Sequence, residues 1–182
     1  MDGKMSTQQV VDLLLVLVGY RNLRPYLACM PEFSQFINVL VLSGEGRSAE
    51  IAISILVKLI AVRDEPTVRL IQLLAAGGFF RNLLQFLDAT DNANVVRSAI
   101  YLVDVVARVS WGDGLQYWGE WLCRRVLTSQ QHGLAALSAL TSVCQYPDAK
   151  EYARDHGVLA ALEKVRGVEA YAPYLKVLIG AK

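Results

Sequence analysis

Histidine is nearly missing from this chain, with two in 182 residues, and the three cysteines at 29, 123 and 144 are odd in number and lack CxxC spacing. A disulfide framework needs cysteines in pairs, and a structural zinc site needs four convergent Cys or His ligands, so neither is expected. An excess of one charge is also missing. Eighteen Lys and Arg stand against 17 Asp and Glu, a formal charge of +1, which provides no electrostatic footprint for nucleic acid or an anionic membrane. Long apolar runs are absent as well. The stretch Val10 to Val18 contains Asp12, and the uncharged stretch Val126 to Pro147 is interrupted by Gln130, Gln131, His132, Ser138 and Ser142. A spanning helix takes about 20 predominantly apolar residues. Asp2 and Asp12 fall where a secretory leader needs a cationic start and a clean apolar segment. The expectation is a cytoplasmic chain in a reducing compartment, with no membrane span and no nucleic-acid partner.

What is present is apolar and periodic. Hydrophobic residues make up 54% of the chain and mean hydropathy is +0.33, which excludes intrinsic disorder and promises a large core. Ala or Val at position i, followed by branched or long apolar residues at i+4 and i+7, recurs as Val10/Leu14/Leu17, Ala52/Leu56/Leu59, Ala99/Val103/Val106 and Ala136/Leu140/Val143. These positions share one helix face, so each triplet reads as a buried stripe, and the small first residue admits a close neighbour. The starts lie 42, 47 and 37 residues apart. One such stripe is ordinary; four at a near-constant interval are a pattern.

A second register of shorter helices opens on bulky residues: Phe33, Phe36, Ile37, Leu40; Phe79, Leu83, Leu84, Leu87; Trp118, Trp121, Leu122, Val126; and Val158, Leu159, Leu162, Val165. A third, shorter element precedes some of them. Pro66 suits a first helical turn, where its missing N–H is unpaired in any case, and Gly77-Gly78 can end that helix. Asp148 with Glu151 reads as a capping box after Pro147, and Gly157 as a left-handed stop. Ser43-Gly44-Glu45-Gly46 and the stretch from Asp88 to Asn94 read as linkers, and a last helix is expected over Val168–Ile179, entered through Pro173. No period-two alternation competes, so the expected fold is all-α.

This unit of about 42 residues, with a long and very apolar third helix, resembles the armadillo repeat. The resemblance rests on Pro66–Gly77, Gly78–Leu87, Ala93–Ala107 and Ala149–Val165, and it extends from about residue 6 to 180. HEAT repeats share the period but have two helices per unit; Pro66 and Pro147 mark a separate first helix and favour armadillo. The resemblance implies a right-handed α-solenoid of about four three-helix repeats in a single domain over residues 1–182. Approximate units are 6–42, 43–87, 88–127 and 128–166, with a terminal helix over 167–180. One unit cannot bury its apolar face alone, and stacked neighbours build a continuous core. The apolar outer side of the first long helix (Leu13, Leu15, Val16, Val18) leads to a further expectation, that a second copy or a larger subunit covers that end.

The resemblance implies that a partner protein binds the concave face lined by the third helices. Residues left over by the stripes are Gln8 and Asp12; Glu50, Ser54 and Lys58; Arg97, Tyr101, Asp104 and Arg108; Ser138 and Ser142. Charge at helical spacing reads by default as a solvated face. Tyr101 between Arg97 and Asp104 adds the composition of an interaction hot spot. Armadillo proteins that clamp extended peptides carry Asn at i+6 and Trp at i+2 of successive third helices. Here Val16, Lys58, Val105 and Ser142 stand at i+6, and Asp12, Ser54, Tyr101 and Ser138 at i+2, so that mode of peptide binding is not expected.

Trp118 and Trp121 read as core between units, with an exposed aromatic patch as the alternative. Arg124-Arg125 and Arg21/Arg24 are isolated basic spots. Cys123, Cys144 and His132 suggest no oxyanion donor or orienting group, and no Walker, Rossmann, kinase or zincin motif occurs. The functional expectation is a non-enzymatic adaptor or scaffold with no catalytic, cofactor or metal site. An armadillo-type Hsp70 nucleotide-exchange co-chaperone is the alternative, and an enzyme or small-ligand protein a third.

Overall fold

The computed structural model describes residues 6–43, 46–90 and 92–180, and every regular element among them is helical. In chain order these are α1 (Thr7–Gly19), α2 (Arg24–Cys29), α3 (Pro31–Leu42), α4 (Gly46–Ile60), α5 (Glu65–Ala76), α6 (Phe79–Asp88), α7 (Ala93–Val109), α8 (Trp118–Thr128), α9 (Gly133–Val143), α10 (Pro147–Asp155), α11 (Val158–Ala161) and α12 (Ala172–Ile179). Single 3₁₀ turns cover Leu115–Tyr117, Leu162–Val165 and Glu169–Tyr171. Gly44, Glu45 and Asp91, which belong to the two expected linkers, lie outside the described residues.

Local chemistry sets the helix starts. All five prolines sit in the first turn of a helix, opening α2, α3, α5, α10 and α12. There the absent N–H costs nothing and the fixed φ is already helical. Ser6 and Gln9 form a reciprocal capping box on α1. At α5 the Asp64 carboxylate accepts from the Thr67 N–H at 3.0 Å and from the Thr67 hydroxyl at 2.7 Å. Gly78 and Gly157 hold equivalent places, each at a left-handed φ (73° and 71°) between a proline-started helix and the next one. A side chain at either place would be strained. Two expected boundaries move. Pro147 takes the first helical position of α10, so Asp148 falls inside the first turn and Tyr146 is an N-cap without a side-chain bond; the capping box does not form. The final α-helix begins at Ala172, after the 3₁₀ turn at 169–171, because Pro173 starts it.

Packing runs element to element along the chain. α4 lies against α1 and α7, α7 against α4 and α9, and α9 against α12; beside them α2 packs on α5, α3 on α6, and α10 on the 115–117 turn. One cluster of buried apolar side chains extends from Val11 to Leu178. A helix held on two sides buries most of its circumference. α7 buries Val95, Val96, Ala99, Ile100, Leu102, Val103, Val106 and Ala107, each large side chain contributing roughly 1.5–3 kcal/mol gross. The stripes at Ala52, Ala99 and Ala136 are buried throughout.

The first stripe is different. α1 packs mainly on α4 and α2, and it buries Val11 and Val18 while Val10, Leu14 and Leu17 are half-buried. Its expected outer side divides accordingly: Leu13 and Val16 are 46% and 57% exposed, Leu15 is half-buried, and Val18 is fully buried. Among the described residues no single helix is long and apolar enough to cross a membrane. The pair α5–α6 passes such a test only together and is bent by 64° at Gly77-Gly78.

Candidate functional site

Four of the residues singled out on sequence meet between α7 and α9. The Arg108 guanidinium lies 2.9 Å from Asp104 Oδ2 and donates from Nε to Asp104 Oδ1 at 3.1 Å. It also donates to Ser142 Oγ at 3.3 Å and to Ser138 Oγ at 3.2 Å. Ser142 in turn donates to Asp104 Oδ1 at 2.5 Å. Asp104 and Arg108 are one turn apart on α7, and Ser138 and Ser142 one turn apart on α9, so two helical spacings face each other as a ladder. Asp104 is mostly covered while Arg108 stays half-exposed, which places the network at the rim of the helix pair. Sequence gave no signal for its extension: Gln145 and Tyr146, the latter at 2.7 Å, both donate to the Ala107 carbonyl, occupying an acceptor in the last turn of α7.

Next to the ladder, Arg97, Ser98, Ile100, Tyr101 and Asp104 of α7 and Ala135 and Ser138 of α9 line a cleft of about 440 Å³. Tyr101 is 56% exposed there. Arg97 is held from its own helix by Asn94 Oδ1 at 3.3 Å. On the neighbouring α4, Lys58 is exposed and Glu50 and Ser54 are half-buried, and among the described residues no hydrogen bond or ion pair joins them to the ladder. On α1, Gln8 donates to Asp12 at 2.7 Å, and no hydrogen bond or ion pair among the described residues extends that pair.

His132 sits just before α9, buried, and its ring is held below the ordinary imidazole pKa of 6.5, first by loss of hydration and then by the nearby Arg125 and Arg97 cations. The unfolded chain therefore takes up a proton on this ring more readily than the folded one. Stability should fall as pH drops through about 6.5 and continue falling until the folded ring also protonates. We expect denaturant midpoints to drop more between pH 8 and about pH 5.5 in the wild type than in His132→Gln. Equal drops in the two proteins would show that this ring is not the source.

The remaining candidates resolve as packing. Trp118 and Trp121 are buried edge to face at 5.6 Å, and the Arg125 guanidinium lies 4.8 Å from the Trp121 ring centre. Trp111 tilts against Tyr146 at 5.0 Å, and Tyr117 meets Tyr152 edge-on at 5.4 Å. Arg124 reaches Asp88 at 3.3 Å, and Arg24 donates to the Val18 carbonyl. The three cysteines are free. Burial raises the Cys123 thiol, whose Sγ lies 3.7 Å from the Val158 carbonyl, and pushes Cys144 up to about 11. No hydrogen bond joins either thiol to His132, so the three are not brought together as a nucleophile and base. Among the described residues no group of three His, Cys, Asp or Glu could hold a metal ion.

By fold, then, this is an all-α protein whose best-formed polar constellation is a cross-helix network bordering an open cleft. No family model, curated protein or solved structure matches the chain.

Proposed function

We propose that the chain is an armadillo-like α-solenoid of about four three-helix units that acts as a non-enzymatic adaptor, binding a partner protein on the face formed by α4, α7 and α9. Support for the repeat reading comes from the succession of long helices, each packed on the next, with proline-started helices between α1 and α4, between α4 and α7, and after α9. The observation that carries the binding reading is Tyr101. A large aromatic stands more than half exposed in a cleft with Arg97 on one side and a hydrogen-bonded Asp104–Arg108–Ser138–Ser142 rim on the other. Tyr and Arg anchors ringed by satisfied polar groups are the composition of energetic hot spots. Rim residues that are already bonded to one another lose little freedom on association.

The network also selects the test. Arg108 ties α7 to α9, so removing it would confuse folding with binding, whereas Tyr101 and Arg97 project from α7 alone. Affinity purification with the full chain should recover a partner that Arg97→Glu/Tyr101→Ala recovers at least about tenfold less, as expected for losing two anchors. Arg69→Glu, on the exposed side of α5, should recover it fully. Equal recovery by all three proteins would remove the partner from this face.

A further inference from the structure

The molecule has a second concave feature, on different helices. A cleft of about 810 Å³ bounded by α9, α10 and α12 continues into one of about 530 Å³ beside α11, the two sharing Lys150, Arg154, Val177 and Leu178. They form one trench. Its charges are unequal. Lys150 and Arg154 are one turn apart on α10, Lys176 reaches it from α12, and among the described residues none of the three has an ion pair or a side-chain hydrogen bond. The other cation in the trench, Arg108, is held by Asp104. Of the two carboxylates, Glu163 is paired with Arg166 on its own turn, which leaves Glu151 against three cations that have no partner among the described residues. Between the cations the wall is aliphatic: Leu159, Val177, Leu178 and Ile179, with Val177 61% exposed.

We propose that this α10–α12 trench is a docking site for an acidic protein segment that carries aliphatic side chains between its carboxylates. Charge complementarity supplies the sign of the partner: cations converging from two helices in a concave place focus a field that a single surface lysine does not. The exposed aliphatic wall supplies the second requirement, since apolar side chains laid on Val177 and its neighbours leave water together with them. A nucleic acid fits less well. Among the described residues no aromatic side chain lines either cleft, so bases have no stacking platform there, and three cations do not make a stripe that tracks a backbone. The site does not rest on the cleft at Tyr101, although Arg108 and Ser142 of the trench are hydrogen-bonded to Asp104, which lines that cleft.

The test uses the full chain and fluorescence anisotropy of three labelled probes of equal length: a Glu/Leu peptide, a Glu/Ser peptide and an oligouridylate RNA. The Glu/Leu peptide should bind tightest, more weakly as salt rises. Lys150→Glu/Arg154→Glu should weaken it by about tenfold or more, equivalent to about 1.4 kcal/mol. Arg69→Glu should leave it unchanged, and circular dichroism should show both variants fully helical. The proposal is overturned if the Glu/Leu peptide fails to saturate, if the two variants lose affinity equally, if Glu/Ser binds as well as Glu/Leu, or if the RNA binds tighter than either peptide.

Discussion

Trp118→Ala should destabilise the protein by about 3–5 kcal/mol, the largest single-residue loss we expect, because the indole is fully buried and its removal leaves a cavity that helices fixed on both sides can close only in part. Two separable contributions act at this position. The first is volume and ring contact: Trp118 opens α8 and packs edge to face on Trp121. The second is a hydrogen bond, since the indole Nε1 donates to the Phe80 carbonyl at 3.1 Å and so pins α8 to α6 across thirty-eight residues of chain. Trp118→Phe keeps most of the ring and loses the donor. That variant should cost about 1–2 kcal/mol, combining a lost buried hydrogen bond with a smaller void. Denaturant unfolding followed by circular dichroism reads both. If alanine and phenylalanine at 118 were equally tolerated, the indole would not be a core element.

Gly112→Ala should cost about 1–3 kcal/mol for the opposite reason, overpacking. A Cβ at residue 112 would stand 2.8 Å from Phe80 Cε2 and 3.3 Å from Ile71 Cγ2. Neither neighbour has room to withdraw: both are buried, and Phe80 is held edge-on against Phe79 at 5.6 Å. The glycine therefore marks where the segment after α7 crosses closely over α5 and α6. Shortening the obstructing ring should relieve the clash. Phe80→Leu/Gly112→Ala is expected to be more stable than the sum of its single losses by about 1 kcal/mol, a coupling of the size seen between residues in contact. Strict additivity would mean that the clash is absorbed elsewhere.

The helical class and most helix limits were legible in the sequence because they depend on neighbours a few positions away. Ala99, Val103 and Val106 lie on one face by spacing alone, and Gly78 and Gly157 stop helices by their own backbone freedom. Proline marks more helix starts than Pro66 and Pro147 alone. Pro25 and Pro31 open helices just as Pro66 does, and they would have divided residues 20–42 into α2 and α3 in advance. Local spacing misleads where two local signals compete. Asp148 and Glu151 have capping-box spacing, but Pro147 is already suited to the first helical position, and the helix starts there.

The candidate site was legible in part. Helical spacing placed Arg97, Tyr101, Asp104 and Arg108 on one side of α7 and Ser138 with Ser142 on one side of α9, but spacing cannot say which helices are neighbours. Only the packing of α7 on α9 turned those side chains into a bonded ladder and left Glu50, Ser54 and Lys58 outside it. The α10–α12 trench shows the same limit, since Lys150 and Lys176 are twenty-six residues apart and no spacing rule joins them. Composition and period by themselves determined an all-helical chain with a large apolar core, because burying one face of each helix is a requirement every helix meets locally. Tertiary structure alone decided which faces stay open, because a side chain at the end of a stack and one in its middle carry the same spacing and differ only in whether a second helix arrives.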